Sequence, residues 1–476
     1  MLFNSATFLW LFLPIVLIGH TALLRPSVRA ANFFLLLCSI LFYAVGSGVL
    51  VLLLLVSVIV DYMAADLASI ARERSMHRLV KACVVFSVVA NVGLLGWFKY
   101  AGFLAETINS LGDRLGGGSV AVPSVVLPIG ISFFTFQSMS YTFDVAAGRI
   151  KPIGSPLQLL LYVSLFPQLI AGPIVRARDI QHQILVRRVD MEAITGGFSR
   201  FAWGLSKKML IADSVAPLVD AVFAAEPTTA SAWIGALGYA VQIYFDFSGY
   251  SDMAIGLGQM LGFTFPENFR RPYAAGSVTD FWRRWHITLS TWFRDYVYIP
   301  AGGNRRGSLI TMRNLVLVFV ITGIWHGAAY TFVLWGVWHG LALLVERALG
   351  VRPGRPIPLP SAVALRAWTA LVVLGGWILF RAATLTDAAA LFEAMVVPTE
   401  GLPTTVSAAI TPVTAGALVI GLLASVLPAS LRPVDLLTGR LPRDEAARFA
   451  LYGAALPLVT MRILSDAYTP FLYFKF

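Results

Sequence analysis

Long apolar runs alternate with short polar connections along the whole chain. Runs close to the roughly 17 to 25 residues needed to cross a bilayer fall near 6–24, 31–45, 48–66, 79–98, 124–146, 195–221, 230–261, 314–333, 335–349, 363–381, 405–428 and 446–465. In lipid every backbone amide and carbonyl must be satisfied within its own segment, so this pattern predicts an all-α polytopic membrane protein. The run 159–174 is broken by Pro167, Gly172 and Pro173, which predicts a re-entrant segment whose backbone is covered by protein. The first run has no basic residue before it and no small-residue cleavage pattern after it, so it reads as a retained span. Residues 264–313 break the alternation. A helix from 279 would set Phe281, Trp285, Leu289, Trp292 and Tyr296 on one stripe and Arg283, Ser290 and Arg294 on the other side. Thr279 would cap it, and Asp280 would sit at its positive end. That is the pattern of a helix lying at the membrane surface.

Composition agrees with this reading. Of 476 residues 58% are hydrophobic and only 13% charged, outside the range of soluble domains, and one membrane domain over 1–476 is the simplest organisation. The formal charge of +11 is carried in clusters between apolar runs. Arg25 and Arg29, then 72–81, 149–151, 176–188, 270–313, 347–366 and 432–448 occupy alternate connections, so all can face the cytoplasm together. The opposite connections, such as 45–48 and 224–231, carry almost no Lys or Arg, which predicts an external N-terminus. The clusters form no stripe and no nucleic-acid motif accompanies them, so lipid is the expected surrounding and nucleic acid is not. Cys38 and Cys83 lie in apolar segments, far from any second ligand, so neither a disulfide framework nor a metal site is expected.

The candidate chemistry centres on His326, set between Trp325 and Gly327 in an apolar run, with the same triplet repeated at Trp338, His339 and Gly340. It lies thirteen residues beyond Arg313, roughly 20 Å along a helix. An intramembrane histidine is costly and needs a partner or a task. Gly323 and Gly327 leave room beside it for another backbone or a narrow substrate. A neutral imidazole there can take a proton from a hydroxyl and return it; the alternative is a histidine satisfied by a neighbouring helix. His286 enters from the cytoplasmic interface, so two imidazoles could flank one buried path. The span 230–261 also contains Asp246, Tyr250 and Asp252, whose carboxylates must pair or line a wet cavity. Arg283, Arg284, Arg294, Arg305 and Arg306 suit phosphates. An enzyme tunnel, a transporter or channel-like subunit of an export complex, and a structural scaffold all fit these residues. No internal symmetry of the transporter kind is present, and no nucleophile elbow.

Five stretches narrow the choice. "LPIGISFFTFQSMSYTFDV" at 127–145, "FPQLIAGPIVR" at 166–176, "YFDFSGYSDMAIGLGQMLGFTFPENFRRPY" at 244–273, "FWRRWHITLSTWFRDYVYIPAGGNRRG" at 281–307 and "TGIWHGAAYTFVLWGVWHG" at 322–340 cover most of 120–345. With the aromatic end "YTPFLYFKF" they make the chain resemble the membrane-bound O-acyltransferases, in their bacterial polysaccharide branch. Ala301 stands where that branch more often has Leu. The resemblance implies a ring of tilted transmembrane helices around a central tunnel, with re-entrant and interfacial helices and a motif-bearing core over 120–345. It implies His326 as the catalytic residue, His286 across the same tunnel and His339 in support; Trp325, Asp246, Asp252 and Tyr250 are the further candidates for lining that tunnel. It further implies acetyl-CoA as acyl donor from the cytoplasm and no metal. The final acceptor would be an exported polysaccharide, alginate-like or other, reached through a periplasmic acetyltransferase or acetylesterase-like partner at the bacterial inner membrane. On this reading His326 is the general base, His286 positions or polarises the reacting group, and the five arginines hold the CoA phosphates.

Overall fold

The computed structural model describes residues 1–351, 358–426, 451–465 and 471. The basic connection 432–448, Arg352 and Arg355, the first residues of the run 446–465, and the aromatic end apart from Phe471 lie outside them. Every regular element among the described residues is helical, as an all-α membrane protein requires. The chain packs as two compact units, one formed by 1–198 and 254–266, the other by 199–253 and 267–476.

The first unit contains α1 (Leu13–Leu24), α2 (Val28–Ser47), α3 (Val51–Glu73), α4 (His77–Leu95), α5 (Ala101–Leu115), α6 (Ile131–Ala146), α7 (Pro156–Ser164), α8 (Phe166–Leu169) and α9 (Ala177–Leu185). Helix α10 (Met191–Ser206) begins in it. The polarity of α3 runs opposite to that of a soluble helix. Leu52, Val56, Ile59 and Met63, spaced one turn apart, are exposed, whereas Asp61 is fully buried. Asp61 accepts from Ser87, from Asn91 at 2.7 Å on α4 and from Thr142 at 2.9 Å on α6. A buried carboxylate met by several donors ties three helices together where the outward face meets lipid.

Two stretches of this unit depart from expectation. The run 124–146 is helical only from Ile131, because Pro128 lacks an amide and Gly130 turns the chain at φ +75°. A Cβ on Gly130 would come within 2.7 Å of the Leu169 carbonyl. The run 159–174 breaks at Leu165 between α7 and α8 and continues without helix after Leu169, and residues 161–177 are buried throughout. Protein therefore covers that irregular backbone.

The second unit holds α11 (Asp213–Ala224), most of α12 (Thr229–Met260), α13 (Val278–Trp282), α14 (Ile287–Phe293), α15 (Ser308–His326), α16 (Tyr330–Ala348), α17 (Leu359–Arg381), α18 (Leu385–Val396), α19 (Thr404–Ala409), α20 (Pro412–Val426) and α21 (Leu456–Leu464). Among the described residues four helical stretches are long and apolar enough to cross a membrane: Val28–Glu73, His77–Leu115, Ser308–His326 and Leu359–Arg381. The run 314–333 is not one helix. It ends at His326, passes through extended Gly327 to Ala329, and restarts as α16 antiparallel to α15. Glycines allow this hairpin to close. A Cβ on Gly323 would lie 2.2 Å from the Phe332 carbonyl, and one on Gly336 would lie 2.4 Å from that of Phe319.

The stretch after 279 is also not a surface helix. Phe281, Trp285, Leu289 and Trp292 are all buried within the unit, and the helix is split into α13 and α14 at His286. Trp285 explains the burial, since it stacks on Phe281 at 5.7 Å and packs against Trp377 of α17 at 4.7 Å. The stripe seen in the sequence thus faces protein. An amphipathic period states only that one side leaves water, not whether it meets lipid or another helix.

Candidate active site

The residue that caps α13 is Ser277, whose hydroxyl accepts from the Asp280 amide at 3.0 Å. Thr279, the expected cap, instead donates its hydroxyl to Glu346 at 2.7 Å and its amide to the same carboxylate at 2.9 Å. The other oxygen of Glu346 takes the Val278 amide. A buried carboxylate on α16 therefore closes the positive end of α13 and fixes it to the helix that carries His339.

His286 follows directly, in the left-handed conformation at φ 42°, ψ 54°. A β-carbon makes this region unfavourable by roughly 1 to 2 kcal/mol, so the surroundings must hold it there. The segment 268–270 does so. Ile287 donates its amide to the Asn268 carbonyl at 3.0 Å, and Arg270 donates to the Arg284 carbonyl at 2.9 Å. The Asn268 side chain lies 3.0 Å from Nδ1 of His286, takes the Thr288 hydroxyl at 2.9 Å and donates to Ser251 at 3.1 Å. Burial pushes the His286 imidazole down to about 3, so it is neutral at physiological pH.

Aromatic contacts draw the three histidines of the second unit into one cluster. The Trp325 ring lies 4.8 Å from His326 and 6.4 Å from His286. Trp335 stands edge-on to His326 at 5.2 Å and packs against His339 at 5.0 Å. Phe380 closes on His326 at 5.0 Å, and the Trp282 indole points at Nδ1 of His339 at 3.4 Å. His286 and His339 are each 1% exposed and His326 is 7% exposed, so a reaction there would proceed largely without water. The space beside His326 is taken by protein: a Cβ on Gly327 would fall 2.1 Å from the Phe332 ring. Of the two uses foreseen for these glycines, close approach of the neighbouring chain is the one observed.

The remaining sequence candidates occupy other positions. Asp246 pairs with Lys208 at 2.7 Å, and Lys208 also reaches Asp213 at 2.6 Å. Asp252 pairs with Lys207 at 2.7 Å and Arg200 at 3.0 Å, and Arg200 continues to Glu267 at 2.6 Å. These carboxylates join the stretch 200–213 to α12, each paired with a cation as buried intramembrane charges require. Tyr250 packs edge-on against Phe471 at 4.8 Å. Arg283, Arg294, Arg305 and Arg306 are exposed; Arg284 is half-exposed and pairs with Asp280, and Arg294 pairs with Asp295. Among the described residues no group of His, Cys, Asp and Glu is placed to hold a metal. Sequence reading missed Asn268, Glu346 and Lys208. Asn268 stood in plain view within the stretch 244–273, but nothing local showed that its side chain would reach the histidine turn.

A buried histidine cluster in an all-helical membrane chain, carried on the motifs at 244–340, is the setting of an acyl-transfer enzyme, and the profile of the membrane-bound O-acyltransferase family matches residues 40–384. The chain belongs to that family and is an O-acyltransferase. It is 42% identical over 396 residues to "Probable alginate O-acetylase AlgI" of Pseudomonas aeruginosa, covering 83% of this chain and 75% of the relative. The protein of the same name from Azotobacter vinelandii is 42% identical over 398 residues, covering 83% and 78%. The peptidoglycan O-acetyltransferase of Helicobacter pylori is 36% identical over 428 residues, covering 83% and 80%. Membership in this family favours the enzyme over the transporter and scaffold alternatives.

Proposed function

We propose that the protein transfers acetyl groups from cytoplasmic acetyl-CoA for O-acetylation of an exported polysaccharide. The names of its relatives support the class of product, an acetylated cell-surface or secreted polymer. His326 removes the proton of the acceptor hydroxyl while its oxygen attacks the thioester carbonyl carbon. The tetrahedral oxyanion collapses, the carbon–sulfur bond breaks and CoA leaves as thiolate, which takes up the proton. His286 assists from the other side of Trp325, and His339 supports the cluster through Trp335. The exposed arginines at 283, 294, 305 and 306 meet the CoA phosphates, with Arg284 beside them.

The alternation of basic connections supports an orientation with this arginine-rich stretch in the cytoplasm, the protein in the bacterial inner membrane and the N-terminus outside. A periplasmic partner of the acetyltransferase or acetylesterase-like kind then completes delivery to the polymer. The observation that carries this reading is the burial of His286, His326 and His339 around shared tryptophans. The test is polymer acetyl content in cells carrying only H326A, with the membrane level checked by immunoblot, alongside release of CoA thiol from acetyl-CoA by the purified protein. Loss of both at normal protein level is expected; unchanged values would remove His326 from the chemistry.

A further inference from the structure

The amide of Asn268 is oriented by its neighbours. The backbone N–H of Thr288, 3.3 Å away, can only donate, so the atom facing it is the carbonyl oxygen, and the amide nitrogen is turned to Ser251. The same oxygen lies 3.0 Å from Nδ1 of His286. An amide oxygen carries no proton, so Nδ1 must supply one. We propose that Asn268 is a positioning residue that fixes His286 in its Nδ1–H tautomer and thereby makes Nε2 a hydrogen-bond acceptor in acyl transfer. This rests on the acetyl transfer proposed above.

The consequence for chemistry is specific. A neutral imidazole whose Nε2 bears a lone pair can receive a proton or a hydrogen bond there, but cannot donate one to a developing oxyanion. His286 therefore holds a hydrogen-bond donor of the acceptor, whose reacting proton goes to His326, and does not act on the thioester carbonyl. The burial of Asn268, 0% exposed, keeps water from substituting for its oxygen. Its two flanking backbone hydrogen bonds, from Ile287 to Asn268 and from Arg270 to Arg284, keep the amide in register with the ring.

The tautomer can be read without activity. The chain has 6 histidines, so nitrogen NMR of histidine-labelled protein in detergent, assigned by subtraction with H286Q, resolves Nδ1–H from Nε2–H at His286. The wild type is expected to show Nδ1–H; an Nε2–H signal would overturn the inference whether or not acetyl transfer is the function. N268L is expected to lose the single tautomer and to lower kcat for CoA release from acetyl-CoA by roughly ten- to a hundred-fold, the scale of losses when the partner that orients a metal-ligating imidazole is removed, with KM unchanged. Should N268L fail to accumulate, N268D decides the matter. Its carboxylate keeps Nδ1 protonated and favours the imidazolium, so the acid limb of the rate profile must move to higher pH; an unmoved profile overturns the inference. Absence of turnover in the wild type, with the Nδ1–H signal present, would reject the acetyl-transfer reading alone.

Discussion

Gly376 of α17 presses so closely on His339 that a Cβ on it would come within 2.4 Å of Nε2. The opposite nitrogen, Nδ1, faces the Trp282 indole at 3.4 Å. The ring is thus wedged between a backbone and an aromatic side chain, so its place is set by packing as much as by hydrogen bonding. Adding one methyl group in G376A must move the imidazole or the helix. Overpacking of this kind costs about 1 to 3 kcal/mol, and thermal unfolding in detergent should show it together with reduced CoA release. An unshifted midpoint would mean that the site yields at no cost.

The α15–α16 hairpin gives a second expectation. Because Gly323 meets the Phe332 carbonyl directly, G323A must part the two helices at the turn before His326. Displacement of a reacting group by about 1 Å can cost around a hundred-fold in rate. Turnover should fall far more than stability does. Equal rates in G323A and wild type would show that His326 does not depend on this approach.

Lys208 lies between the two carboxylates of Asp213 and Asp246. Its removal in K208M leaves two buried like charges together, which should destabilise by about 3 to 5 kcal/mol. D246N alone retains the Asp213 pair and should cost less. The triple variant K208M/D213N/D246N should recover much of the loss. Unfolding midpoints of the three proteins rank these outcomes, and a triple variant no more stable than K208M would show that the cation serves more than its two partners.

Stability should depend on pH through His286. Its pKa is about 3 in the folded protein, lowered from 6.5 by burial. Between those values the unfolded chain binds a proton that the folded chain does not. The contribution is therefore complete above 6.5 and lost as pH falls toward 3, at roughly 1.4 kcal/mol per unit well inside the window. H286Q should have a shallower decline than wild type between pH 6.5 and 5 in unfolding measurements. Parallel curves would mean that the imidazole is not held neutral.

The helical class, the polar break at 264–313 and the histidines worth testing were all legible along the chain, because lipid leaves the backbone few options and makes each buried polar residue conspicuous. Local pattern also located the glycines around His326, although it left open what they make room for. Three matters belonged to tertiary structure. The stripe at 281–296 has the period of a membrane-surface helix and instead faces protein, because its aromatic residues find Trp377 and its neighbours, nearly a hundred residues away in sequence. The run through His326 breaks at Gly327 because a helix returning alongside needs the space that the glycines provide. Asn268 reaches His286 across eighteen residues because two backbone hydrogen bonds lay one coil against another. Periodicity records which residues leave water, a one-body property of each position; which partner each then meets is a pairwise property, and only the folded chain decides it.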